Sequence, residues 1–91
     1  MQIINHLAKV LSLKINISAT ASRGLIKLAI KDEIGPFEPL NKLGLKQYQA
    51  TIQNSLKTRL QNLNVENIEE IVVLLLNELI IHQSLILMEK I

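Results

Sequence analysis

The chain has no cysteine and no tryptophan, and its 91 residues hold only two aromatics, Phe37 and Tyr48, three glycines and two prolines. Without cysteine, disulfides and thiolate metal ligands are excluded, and the redox compartment stays open. With two aromatics there is no stacking platform for single-stranded nucleic acid. With few glycines there is no phosphate-cradling loop, since Ser22-Arg23-Gly24 is too short to form one. No serine sits in a nucleophile elbow, and no acidic dyad occupies a cleft-forming segment. No enzymatic activity and no cofactor are therefore expected. The N-terminus has no basic stretch ahead of its apolar residues, and Asn5, His6, Lys9 and Lys14 interrupt it. Ser18-Ala19-Thr20-Ala21 is thus not read as a signal cleavage site, and a cytoplasmic protein is expected.

What remains is aliphatic. Hydrophobic residues make up 48% of the chain, too many for disorder. Leu, Ile, Lys, Glu, Gln and Asn with few breakers favour helix. The expected fold is all-α: residues 1–91 form a single domain, a small bundle of about four helices with a long C-terminal helix.

Apolar spacing places the elements. Ile3, Ile4, Leu7, Val10 and Leu11 recur every three or four residues and predict a helix over 2–13. A second helix is expected over 21–34, with Ser18 or Thr20 as N-cap and Gly35-Pro36 as the stop. The alternation of Ile15, Ile17 and Ala19, and of residues 25–31, is also compatible with a short β-hairpin within 14–31. Both prolines and two of the three glycines lie in 35–44, which reads as the main loop. Leu45, Tyr48, Ile52, Leu56, Leu60 and Leu63 form the seam of a third, one-sided helix over 45–63. Asn67 with Glu70 resembles a capping box at the start of a fourth.

That fourth helix is expected to run unbroken from Ile68 toward Ile91, about 36 Å at 1.5 Å per residue. Val72, Leu75, Leu76, Leu79, Ile80, Ile86 and Leu87 fall on its main apolar face. Ile71, Leu74, Ile81, Leu85 and Met88 fall on the opposite side, beside Glu70, Asn77, Glu78, His82, Ser84 and Glu89. A solvated helix does not carry five large aliphatics on its outer face. A membrane span is not expected, because Asn77, Glu78, His82, Gln83 and Ser84 interrupt the 18 residues from Ile71 to Met88. Leu74, Ile81, Leu85 and Met88 are therefore expected to meet another copy of the chain, as a homodimer, or a helical partner protein.

Two polar constellations stand out. Glu78 and His82 are spaced i, i+4, and His82 and Glu89 i, i+7. A di-metal bundle needs such pairs on two helices, and His6 is alone on the first, so no metal site is expected. Ser22, Arg23, Lys27 and Lys31 form a polar stripe at the start of the second helix, a candidate anion or nucleic-acid site. Leu7-Ala8-Lys9-Val10-Leu11 followed by Ala19-Thr20-Ala21-Ser22-Arg23-Gly24-Leu25 resembles a helix-turn-helix, with a connector longer than that motif's three to four residues. Net charge is +2 and unevenly placed. Residues 1–60 carry nine Lys or Arg against three acids, +6, and residues 61–91 one Lys against five Glu, −4.

Two functions follow as expectations. The first is a non-enzymatic helical interaction or regulatory module that self-associates through its C-terminal helix. The alternative is a small DNA-binding regulator, dimerised by the same helix, that presents Ser22, Arg23, Lys27 and Lys31 to DNA.

Overall fold

The computed structural model describes residues 2–89; of Glu89 only the backbone is described. The elements are α1 (Gln2–Ile15), α2 (Ala19–Ile34), a single 3-10 turn (Leu40–Lys42), α3 (Leu45–Ala50), a π-helical segment (Thr51–Leu56), α4 (Lys57–Asn62), α5 (Ile68–Ile81) and α6 (Gln83–Glu89). No strand occurs among the described residues, so 14–31 hold no hairpin. Ser18 settles that region. Its hydroxyl accepts from the Ala21 N–H at 3.0 Å and starts α2 only three residues after α1 ends.

α3, the π segment and α4 run on from one another as one rod, since Ala50, Thr51, Leu56 and Lys57 all keep right-handed helical backbone. The widening has a cause in the sequence. Tyr48, Ile52, Leu56 and Leu60 repeat strictly every four residues. In an α-helix each such step drifts by about 40° round the axis. A π turn holds more residues and cancels the drift, so all four stay buried. The Thr51 hydroxyl, donating to the Gln47 carbonyl at 2.8 Å, is the back-bonding that perturbs a helix at this point. The rod ends at Asn62, one residue short of Leu63, which is 58% exposed and leaves the seam.

The long C-terminal helix is not continuous. It breaks at His82 (φ −107°, ψ 25°) into α5 and α6, and α6 packs back on α1 and on the 3-10 turn. The break changes which residues lie inside. Ile86 is buried, but Leu87, expected on the same face, is 64% exposed. Asn67 is not a side-chain cap either. It takes the left-handed conformation (φ 58°), and only its carbonyl joins the helix, accepting from Ile71 N–H. Asn16 and Asn64 adopt the same conformation. Three of the turns thus use asparagine where glycine is the commoner choice.

The core lies around α1, which packs against α2, α5 and α6. It gathers Ile3, Ile4, Leu7, Ala8 and Leu11 from α1, Ile26, Ala29 and Ile30 from α2, the rod's four-residue repeat, and Ile71, Val72, Leu75 and Leu79 from α5. Polar clamps tie the outside. Arg59 on α4 is bidentate to Asp32 on α2, Ser55 donates to Glu33, and Lys57 pairs with Glu69 on α5 at 2.6 Å.

Candidate functional site

α1 enters the core through Ile3, Ile4 and Leu7, which leaves His6 at the edge of that face, toward α5. On α5, burial of Leu75 and Leu79 sets Glu78 beside the same edge. The break puts His82 next to both. His6 Nε2 lies 2.9 Å from Glu78 Oε2, and His82 Nε2 lies 3.3 Å from the same oxygen. The two imidazole rings are 4.0 Å apart between centroids and tilted by 50°. The side chains are 28%, 23% and 37% exposed for His6, Glu78 and His82, so the cluster is half-sheltered with one side open to water. The His6–Glu78 contact is a hydrogen bond, donated from Nε2–H when that nitrogen carries the proton, whereas His82 Nε2 stands beside the same oxygen at 3.3 Å without a hydrogen bond of its own; with a charged ring, either contact becomes an ion pair.

The i, i+4 spacing of Glu78 and His82 pointed to half of this cluster. His6 was not legible, being 72 residues from Glu78 in the chain. Its one signal was a titratable ring bordering an otherwise aliphatic helix face. The Glu89 side chain, expected on the same strip, lies outside the described residues.

The basic stripe is divided. Lys27 and Lys31 are exposed, and Arg23 is half-buried with Nη2 donating to Thr20 Oγ1 at 3.2 Å. None of the three pairs with an acid among the described residues. Ser22 is fully buried on the opposite side of α2, with its hydroxyl unpartnered among the described residues. It therefore does not share a surface with Arg23, Lys27 and Lys31. The first turn of α2 is also capped already by Ser18.

The four residues expected at an interface differ in exposure. Ile81 and Met88 are 69% and 59% exposed. Leu74 is half-buried, and Leu85 is half-buried and packed on the core. Ile71, expected on the outer face with them, is in the core. Val73 and Ile80 are exposed instead, at 55% and 45%. On α5, Val73, Asn77 and Ile80 stand in one row, with Leu74 and Ile81 alongside. A shallow groove runs past Glu69, Glu70, Val73, Leu74 and Asn77. A second cleft, between Lys14 at the end of α1 and Glu66, Asn67, Glu70, Ile71 and Leu74 at the start of α5, sets two carboxylates against one ammonium, a balance unsuited to an anion.

Comparison with family models, with curated proteins and with solved structures gave no match. Among the described residues no helix is long and apolar enough to cross a membrane.

Proposed function

We propose that this chain is a non-enzymatic helical interaction module, working in the cytoplasm, that self-associates as a dimer through the outer face of α5 and the exposed side of α6. One observation carries the reading. Ten large hydrophobic side chains are exposed among the described residues, and five of them, Val73, Ile80, Ile81, Leu87 and Met88, belong to α5 and α6. Such concentration of exposed aliphatics on one segment is the mark of a contact surface. Scattered singly, they would need no explanation.

A second copy is the simplest partner, since the row of Val73, Asn77 and Ile80 can meet its own copy across a two-fold axis with Glu69 and Glu70 left at the rim. Light scattering on the purified protein at about 100 µM, well above the micromolar range of ordinary self-association, tests it. The expected mass is twice the 10.3 kDa of one chain. A monodisperse monomer rejects the reading.

A second reading is favoured by the α1–α2 connector. It is three residues long, within the length of a helix-turn-helix turn. DNA binding would use Arg23, Lys27 and Lys31, not the buried Ser22. Fluorescence anisotropy on duplex DNA tests it. Binding that falls steeply between about 50 and 200 mM salt supports the reading, and no binding at the lower salt rejects it.

A further inference from the structure

We propose that His6, Glu78 and His82 form a binding site for one divalent transition ion of the zinc class, which ties α1 to α5 at the point where the C-terminal helix breaks. The proposal is independent of self-association.

The donor set comes first. Two imidazoles and one carboxylate suit Zn²⁺, Co²⁺, Ni²⁺ or Cu²⁺, whereas Mg²⁺ and Ca²⁺ take oxygen donors. Two histidines and a glutamate are also a recognised zinc ligand set, with a fourth position left to water. Here the fourth position has somewhere to point, because each of the three side chains keeps part of its surface in solvent.

The geometry comes next. Ligand atoms about 2.1 Å from a tetrahedral ion stand about 3.4 Å from one another. The two measured Nε2–Oε2 separations are 2.9 and 3.3 Å, and one ligand atom from each residue lies within 4.8 Å of the other two. Closing round an ion thus lies within reach of side-chain rotation. On binding, His6 gives up its Nε2 hydrogen bond to Glu78, and His82 turns its Nε2 from the same oxygen to the ion. The proton moves to Nδ1 or is released to solvent, and the freed Nε2 lone pair binds the ion. The carboxylate stays ionised and offsets part of the ion's charge.

The cluster also joins parts of the fold that are far apart in the chain. His6 belongs to α1, Glu78 to the last turn of α5, and His82 is the residue at which the helix turns. An ion bound to all three binds only the folded arrangement, so it stabilises the fold by mass action.

The chain makes the test direct. It has no cysteine and only two histidines, both in this cluster, so any imidazole binding in untagged protein must use His6 or His82. Untagged protein is titrated with ZnCl2 while the two imidazole Cε1–H signals are followed by NMR. Both signals should move or broaden together and saturate at one Zn²⁺ per chain, at low-micromolar free ion. The melting temperature should rise by several degrees. Mg²⁺ at millimolar concentration should do neither. Co²⁺ should give visible absorption bands of a four- or five-coordinate site. His6→Ala and His82→Ala should each weaken Zn²⁺ by about tenfold or more. The proposal is overturned if neither ring signal responds, if only one does, or if Mg²⁺ produces the same change. The NMR and Co²⁺ measurements on the unmodified chain decide the question even if a variant fails to fold.

Discussion

Two glycines of this chain have opposite roles. Gly24 sits in the middle of α2 with open space where a Cβ would stand, so it only adds disorder to the unfolded chain. Gly35 ends the same helix at φ 115° and ψ 157°, a region essentially closed to other residues. Gly24→Ala should therefore raise stability by about 0.5–1 kcal/mol. Gly35→Ala should lower it by about 1–3 kcal/mol, although nothing crowds the new methyl. Urea unfolding followed by circular dichroism measures both, and equal effects would refute the assignment of strain to Gly35. A second residue-scale expectation concerns acid. The bidentate hydrogen bond from Arg59 holds the Asp32 carboxyl below its ordinary 3.8, and the same bond raises Arg59. A depressed carboxylate stabilises the fold above its unfolded value, and that contribution fades as pH falls through the lower folded value. Asp32→Asn should thus unfold at lower urea than the parent at pH 6, and the gap should narrow below about pH 4. A gap that persists unchanged in acid would show that the pair does not act through the charge of Asp32.

At the scale of elements, the seam residues of α1 and the rod were readable, because a one-sided apolar stripe on a soluble helix has one place to go. Ile3, Ile4, Leu7 and Leu11 are buried as their spacing requires. Gly35 marked the C-terminal end of α2 because stop chemistry is local, whereas the sequence left Ser18 and Thr20 as alternative caps and the helix starts at Ala19, two residues before the expected 21. Two features escaped for physical reasons. The π segment was written into the strict four-residue repeat from Tyr48 to Leu60, but a helix period assumed to be 3.6 hides it. The break at His82 carries no glycine or proline. It follows from tertiary packing, as Ile86 is drawn into the core while α6 meets α1 and the 3-10 turn. Once the helix is broken, phases extrapolated from α5 fail for Leu85 and Leu87. His6 joined Glu78 by packing alone, which no spacing along the chain encodes. The corrected register makes its own prediction. Leu60, fully buried, should lose about 2–5 kcal/mol on change to alanine. Leu63, which the expected seam grouped with it, should lose under about 1 kcal/mol. Similar losses at both positions, measured by denaturant unfolding, would put the end of the rod in the wrong place.

At the scale of the whole molecule, the described chain measures 37 × 26 × 21 Å with a radius of gyration of 12.0 Å, the size expected for one folded domain of this length. An unbroken helix from Ile68 would have run its whole length; the turn at His82 folds the last residues back instead. Even so, the bundle does not cover Val73, Ile80, Ile81, Leu87 and Met88. Stability and association should therefore be separable on α5. Val73 and Ile81 are more than half exposed, so Val73→Lys with Ile81→Lys removes little buried surface and should shift the unfolding free energy by no more than about 1 kcal/mol. The same pair places two cations on the proposed contact face of each copy, four across a two-fold axis, where like charges would be desolvated together. Light scattering should then report one chain where the parent reports two, with an unchanged helical spectrum. Leu75→Lys, on the inner face of the same helix and fully buried, should instead unfold the chain, because an unpaired ammonium in an aliphatic core has no partner. If the proposed apolar contact forms, the parent's mass should hold when salt rises from about 50 to 500 mM, whereas an association driven by the uneven charge of the two halves would weaken over that range. A double variant that keeps the parent's mass at every concentration would mean that α5 does not form the contact.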